Sequence, residues 1–153
     1  MAWKGVGGDQ KLYGGRGDDG DQDDIFHGSS AGPALVRDHT GAFMGWKGAG
    51  GDPGVYYSRQ QHMDGVTWDT RRGVPGVGSS TGPALAMFRG SIHMAWKGTA
   101  GDQGIYFNAF PNGMPGPQRN VPGRRHQRAA RPCRLPGPAL HGLEGRGQRP
   151  EPV

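Results

Sequence analysis

One five-residue motif, which occurs three times, decides the fold: MAWKG at residues 1–5, MGWKG at 44–48 and MAWKG at 94–98. Each copy is followed by a glycine-rich step that ends in aspartate, and then by a short run of aliphatic and aromatic residues. Successive copies are about 40–50 residues apart, a spacing typical of propellers, solenoids and other repeat architectures.

A second repeated motif lies upstream of two of these copies, as SSAGPAL at residues 29–35 and SSTGPAL at 79–85. In the third repeat, the sequence predicts a short strand at 84–88, a turn at Arg89 and Gly90, and a strand over 92–97 with alternating polarity. Residues 98–102 are rich in glycine and predict a tight turn. The next strand is expected at 105–107, which is dense in β-forming residues.

The second repeat indicates a fourth strand. Asp64 and Gly65 form a strong hairpin signal, so we expect a strand at 66–68 after them. The Val-Pro-Gly segment at 74–76 is then expected to turn the chain toward the next repeat. No segment has the 3.6-residue periodicity of an amphipathic helix. Four short strands in about 40–50 residues match the size of one propeller blade.

These repeats resemble the blades of bacterial lectin-like β-propellers in the sialidase-like superfamily. The resemblance rests on the Gly-Pro-Ala-Leu, Met-Ala-Trp-Lys-Gly and Gly-Asp motifs and covers residues 1–118. It implies an all-β protein, a partial β-propeller of two to three four-stranded blades over 1–118. The Arg-, Pro- and Gly-rich segment 119–153 is expected to be a disordered tail.

One segment is similar to the Asp-box of that superfamily, a structural turn on the outside of a blade. It comprises Ser58, then Asp64 and Gly65, then Trp68. It departs from the family pattern because Ser58 and Asp64 are too far apart and Gly65 directly follows Asp64. The resemblance implies that Asp64 caps backbone amides and that Trp68 packs between strands.

The net charge of +5 belongs to the tail, because residues 1–118 carry a net −1 and residues 119–153 a net +6. The tail has no Phe, Tyr, Trp, Ile, Met or Lys, so it cannot stack on bases, and we expect no nucleic-acid partner. The single cysteine, Cys133, excludes a disulfide framework. No apolar run reaches the length of a membrane span, so no membrane partner is expected.

The chain is expected to be a truncated or frameshifted fragment of a larger propeller. After residues 121–123, which repeat the Val-Pro-Gly of 74–76, another repeat should open, but the arginine-rich tail follows instead. A one-nucleotide shift of GC-rich codons for residues 134–151 permits a further Met-Ala-Trp-Lys-Gly motif. The first motif also starts where a second strand is expected, so the opening of a repeat is missing.

The candidate ligand-binding residues are the repeated pair Trp46 and Lys47 and the pair Trp96 and Lys97. The tryptophans are interpreted either as platforms for sugar rings or as packing between blades. The lysines are interpreted either as contacts to ligand oxygens or as solvated side chains. The partners predicted from this pattern are glycans, together with self-association through open blade edges.

Other motifs have alternative interpretations. The acidic run at 18–24 is either a calcium-binding loop or, as we favour, a solvated loop, since it lacks the spacing of an EF-hand. The Arg-Gly-Asp at 16–18 is attributed to chance. The six histidines lie far apart in the sequence and form no metal-ligand pair, so no metal or cofactor is predicted.

No catalytic residue is predicted. A sialidase-type hydrolase needs a glutamate beside its tyrosine nucleophile, and residues 1–118 contain no glutamate; Glu144 and Glu151 lie in the tail. The favoured interpretation is a carbohydrate-binding propeller fragment without catalytic activity. The alternatives are a structural or protein-interaction propeller repeat, or the remnant of a sialidase-like glycoside hydrolase.

Overall fold

The computed structural model describes residues 1–15, 22–60 and 67–125. These residues form an all-β protein of three antiparallel sheets, in which consecutive strands are hydrogen-bonded neighbours. A single turn of 3₁₀-helix, Pro111–Gly113, follows the tenth strand. Among the described residues, no helix is long and apolar enough to cross a membrane.

Each sheet is built from one sequence repeat. Sheet 1 has three strands: β1 (Ala2–Lys4), β2 (Lys11–Gly14) and β3 (Asp23–Gly28). Sheet 2 has four: β4 (Ala34–Asp38), β5 (Gly41–Lys47), β6 (Gly54–Arg59) and β7 (Arg72–Gly78). Sheet 3 has four: β8 (Ala84–Phe88), β9 (Ser91–Lys97), β10 (Gly104–Phe110) and β11 (Arg119–Arg125). The repeated Trp-Lys motif thus lies in β1, β5 and β9, and within the described residues sheet 1 has no counterpart of β4 and β8.

The hairpin predicted in the third repeat is confirmed. Strand β8 has the predicted bounds, Arg89 and Gly90 form the turn after it, and β9 begins one residue earlier than expected. Arg89 has a positive φ of 48° and Gly90 one of 75°, the backbone that a two-residue hairpin turn requires. Strand β10 is longer than the aliphatic and aromatic run that predicted it.

The predicted fourth strand of the second repeat is wrong. Trp68 makes only an isolated bridge to Gln60, and the fourth strand is β7. This strand contains the Val-Pro-Gly segment 74–76 that was expected to be a turn. Pro75 is tolerated because β7 is an edge strand: no strand lies on its outer side, so a missing N–H donor there costs no hydrogen bond between strands. Asp64, Gly65 and the first residue of the predicted strand, Val66, lie outside the described residues.

The boundary predicted after residue 118 falls too early, because β11 continues sheet 3 to Arg125. Its Val-Pro-Gly segment at 121–123 repeats that of β7, so the fourth strands of both sheets are built from the same sequence. The rest of the predicted tail, residues 126–153, lies outside the described residues.

Two apolar cores separate the three sheets, which do not close into a ring within the described part of the chain. We call the side of each sheet that bears the repeated tryptophan its tryptophan face, and the other side its reverse face. The tryptophan face of sheet 2 packs on the reverse face of sheet 1. The buried residues of the core between these two sheets are Leu12, Ile25, Met44 and Trp46. The tryptophan face of sheet 3 packs on the reverse face of sheet 2. The buried residues of the core between these two sheets are Phe43, Val55, Tyr57, Val74, Ile92, Met94, Trp96 and Phe110.

Sheets 2 and 3 approach each other closely at Gly45, where the other two repeats have alanine. A Cβ placed on Gly45 would lie 2.7 Å from Cε of Met94, which is closer than carbon atoms pack. The one copy of the motif that has glycine at its second position therefore lies where the neighbouring sheet leaves no room for a methyl group.

Candidate functional site

Each sheet contains the same hydrogen-bonded turn between the strand that bears the Trp-Lys motif and the strand after it. In sheet 2, Asp52 Oδ1 accepts a hydrogen bond from the N–H of Gly54 at 2.8 Å. Its Oδ2 accepts a second one from the Tyr56 hydroxyl, also at 2.8 Å. The same bonds join Asp9 to Lys11 and Tyr13 in sheet 1, and Asp102 to Gly104 and Tyr106 in sheet 3. These aspartates therefore cap the glycine-rich turns that follow the Trp-Lys motif.

These contacts fix the ionisation of the turn. The backbone hydrogen bond from Gly54, followed by the one from Tyr56, lowers the pKa of Asp52 below its ordinary value. The same bond raises the pKa of Tyr56, because a neighbouring carboxylate disfavours the phenolate. The aspartates and tyrosines of sheets 1 and 3 shift in the same directions. Each aspartate is therefore ionised at neutral pH and serves the turn.

The repeated lysines fasten the loops between sheets. Lys47 is 8% exposed, and its Nζ donates hydrogen bonds to Ser30 Oγ at 2.7 Å and to the carbonyl of Asp52 at 2.9 Å. Ser30 lies in the loop that leads from sheet 1 to sheet 2. In sheet 3, Lys97 Nζ donates to Ser80 Oγ at 3.1 Å in the same way. The two lysines therefore have structural partners where the sequence alone left ligand contacts or solvent as alternatives.

The repeated tryptophans are packed between sheets. Trp46 is 0% exposed and its ring stacks on that of His27, with centroids 4.8 Å apart. Burial lowers the pKa of His27, which favours a neutral imidazole in this stack. Trp96 is 3% exposed within the core between sheets 2 and 3. A sugar cannot stack on a ring that the neighbouring sheet covers, so the packing interpretation of Trp46 and Trp96 is the one their burial favours.

In sheets 2 and 3 the fourth strand bulges away from the third strand. Tyr106 pairs with Asn120, yet Gly104, two residues earlier, pairs with Arg125, five residues later. Sheet 2 has the same shift: Tyr56 pairs with Gly73 and Gly54 with Gly78. Gly76 and Gly123 lie in these bulges with φ of 68° and 69°. A side chain would be strained there, so each Val-Pro-Gly segment ends in glycine.

In sheet 3 the bulge opens a cavity of about 680 Å³. Its lining combines the Asp102 turn and Gln103 on one side with Asn120 and residues 121–123 on the other. Tyr106 contributes an aromatic ring. The sequence prediction missed this cavity because it interpreted Val-Pro-Gly as a turn. The recurrence of that segment at a fixed distance after the Tyr-containing strand is the signal that could have located it.

Sheet 2 differs at the equivalent place. The guanidinium of Arg71 lies over the ring of Tyr56, 4.6 Å from its centroid, and this ring also stacks with Trp46. In sheet 3, Gln118 occupies the position of Arg71 in the repeat. The ring of Tyr56 thus has cover from an arginine that the third repeat does not contain.

A smaller cavity of about 160 Å³ lies between sheet 2 and the 3₁₀ turn, lined in part by Arg59, Asp69 and Arg72. Arg59 is held by an ion pair with Asp38, at 2.8 Å between Nη1 and Oδ2. Because one of its two arginines is already paired with a carboxylate, this cavity is a weaker candidate for a ligand than the one in sheet 3.

Several sequence predictions fall on residues that the structure does not describe. The acidic run is described only from residue 22, where Asp24 accepts a hydrogen bond from Lys11 Nζ at 3.0 Å. The Arg-Gly-Asp tripeptide, Asp64, Cys133 and both glutamates lie outside the described residues. Trp68 is described, and it packs beside the core between sheets 1 and 2.

The chain was compared with protein-family models and with curated protein sequences. No family model matches it, and no curated protein matches it.

Proposed function

We propose that this chain is a carbohydrate-binding protein assembled from propeller-type blades, and that it has no catalytic activity. The observation that supports the proposal is the cavity of about 680 Å³ in sheet 3, which combines an aromatic ring with amide side chains. Its volume lies within the range of small-molecule sites, about 300–1,000 Å³.

The lining chemistry fits a sugar. A pyranose presents hydroxyl groups around its rim and C–H groups on its faces. Gln103 and Asn120 each offer an amide that donates and accepts hydrogen bonds, which matches the dual character of a hydroxyl. Tyr106 offers the open part of its half-buried ring, which a hydrogen bond to Asp102 at 2.8 Å holds in place. The ring and the amides are therefore the groups assigned to the ligand.

The lining chemistry argues against hydrolysis. Glycosidases use two carboxyl groups at a fixed separation across the scissile bond. Of the described residues, Asp102 is the one that brings a carboxylate to this cavity, and both of its oxygens accept hydrogen bonds within the turn. The described lining therefore lacks the second carboxyl group that such a mechanism uses.

The proposal is tested by calorimetry after a glycan array has identified a ligand. Asn120→Ala and Gln103→Ala should each weaken binding about tenfold, since each removes hydrogen bonds to a hydroxyl. The matched control is Gln10→Ala, because Gln10 holds the equivalent position of sheet 1, where it accepts a hydrogen bond from Gly50. This control should bind like the wild-type protein.

Three outcomes would contradict the proposal. Absence of saturable, sugar-competed binding would favour a structural or protein-interaction repeat. Binding that neither cavity variant changes would place the ligand elsewhere. Release of a fluorescent aglycone from a sialoside would favour a remnant of a sialidase-like hydrolase.

A further inference from the structure

The two outer faces of the three-sheet stack repeat the chemistry of its two inner interfaces. At each inner interface, a methionine, a tryptophan and a tyrosine of one tryptophan face pack on the reverse face of the sheet before it. These residues are Met44, Trp46 and Tyr56 in sheet 2, and Met94, Trp96 and Tyr106 in sheet 3. Sheet 1 has the same three types at the same positions: Met1, Trp3 and Tyr13.

Among the described residues, no sheet packs on these three side chains of sheet 1. Met1 is 72% exposed, whereas Met44 and Met94 are 0% exposed. Trp3 is partly exposed and stacks on Tyr13, with ring centroids 6.4 Å apart. The tryptophan face of sheet 1 therefore exposes the methionine, and part of the tryptophan, whose counterparts are buried in both other sheets.

The reverse face of sheet 3 is the uncovered counterpart. It presents Ile105, Phe107 and Val121 where the buried reverse face of sheet 2 presents Val55, Tyr57 and Val74. Beside them it has Phe88, which is 57% exposed. Phe88 occupies the place of Asp38 of sheet 2. The exposed reverse face is thus apolar at most of the positions that the buried one uses, with His93 in the place of Phe43 as the exception.

We propose that the tryptophan face of sheet 1 in one copy of this chain packs on the reverse face of sheet 3 in a second copy. The contact is heterologous, so it joins two different surfaces, and each copy offers both. Two copies bring six sheets, a number within the four to eight at which propellers close. The proposal names the faces as the contact, where the sequence suggested open strand edges, and it does not depend on carbohydrate binding.

The inner interfaces supply the argument for a second copy as the partner. The packing partner of a Met-Trp-Tyr face in this protein is, both times, a reverse face of Val, Ile, Leu, Phe or Tyr. A second copy presents that surface in the same backbone geometry. An exposed apolar face rimmed by polar residues is also the kind of surface that marks a protein contact.

The test measures the mass of the full chain by light scattering, with two single variants and their mixture. The wild-type protein should be a discrete species of twice the chain mass of 16.2 kDa. Trp3→Lys places a charge on the tryptophan face of sheet 1, and Phe107→Lys places one on the reverse face of sheet 3. Each variant alone should therefore be monomeric. An equimolar mixture should regain dimers, because it contains one intact copy of each face. Leu35→Lys is the control on sheet 2, at a side chain that is 36% exposed and belongs to neither outer face, and it should stay dimeric.

A monomeric wild-type protein at high concentration would overturn the proposal. A dimer that persists in either single variant would also overturn it, because a like-with-like contact needs only one of the two faces. Far-UV circular dichroism verifies that each variant is folded. If Phe107→Lys fails to fold, Phe88→Lys replaces it, since Phe88 is the more exposed side chain of the same face.

Discussion

Strands β5 and β9 occupy the same position in two copies of the repeat, yet they are buried differently. In β5, six of the seven residues are buried, whereas in β9 buried and partly exposed residues alternate. Sheet 2 is covered on both faces and sheet 3 on one, within the described part of the chain. The comparison shows that the neighbours of a sheet, and not its own sequence, decide how much of it is core.

Replacing the repeated tryptophan should give the largest difference between covered and uncovered faces. Trp46→Ala should lower the free energy of unfolding by about 3–5 kcal/mol, because it leaves a cavity between sheets 1 and 2. Trp3→Ala should cost clearly less, since that ring is partly exposed and none of the described sheets covers it. Urea unfolding followed by circular dichroism, at a concentration where the chain is monomeric, measures both. Equal losses would contradict the comparison.

Exchanging the residues at one position of the reverse faces should give the next largest effect. Phe43 contacts Tyr57 and Phe110 in the core, and His93 holds its place in sheet 3. Phe43→His should cost about 2–4 kcal/mol, because it loses apolar contacts and buries an imidazole.

The new imidazole would be neutral when buried, so its folded pKa would lie below the unfolded value of about 6.5. The stability of Phe43→His should therefore fall further as the pH falls from about 7 to 5. The reciprocal variant, His93→Phe, should leave the free energy of unfolding of the monomer nearly unchanged at both pH values. A similar loss in both variants would show that the two faces are equally covered.

Enlarging the side chain at one repeat position should have different effects in sheet 2, where the next sheet lies close to Gly45, and on the uncovered reverse face of sheet 3. Gly45→Ala should lower the free energy of unfolding by about 1–3 kcal/mol, because the methyl would collide with Met94. Its control is Ala95→Val at the equivalent position of sheet 3, which should change stability by no more than about 0.5 kcal/mol. The midpoints of denaturant unfolding, compared at a constant m-value, report both changes in stability. An unchanged stability of Gly45→Ala would contradict the close packing.

The smallest expected effect concerns acid stability. Burial alone would raise the pKa of Asp38, but hydrogen bonds from Thr40 and Arg59 outweigh it and lower the pKa to about 2. Because the unfolded pKa is about 3.8, this stabilisation is complete above pH 4 and is lost between about pH 4 and 2.

Asp38→Asn should therefore lower the free energy of unfolding at pH 6 by about 1 kcal/mol or less, and its Tm should fall accordingly. The difference in Tm between the wild-type protein and the variant should vanish near pH 2. Sheet 3 has Phe88 and Ala109 at the positions of Asp38 and Arg59, so Phe88→Asn is the matched control and should show no such pH dependence. A Tm difference that is constant between pH 6 and 2 would exclude the ion pair as its source.

Local chemistry explains which sequence predictions succeeded. The hairpin at Arg89 and Gly90 and the aspartate-capped turns were predictable because their contacts span at most a few residues. The fourth strands were not, since Val-Pro-Gly is turn-like locally and becomes a strand only when the edge of β6 or β10 is available. The cavity beside Tyr106 was missed for the same reason, because it exists only where β11 bulges away from β10.

The sequence by itself determined the repeating unit: short strands, glycine turns, and a Trp-Lys motif that recurs in β1, β5 and β9. These features follow from side-chain alternation and backbone freedom within about 50 residues. Only the tertiary structure decided that Trp46 and Trp96 are core while Trp3 is partly exposed, although the three motifs are nearly identical. Burial depends on what lies across the face of a sheet, and a sheet packs against neighbours that its own sequence does not contain.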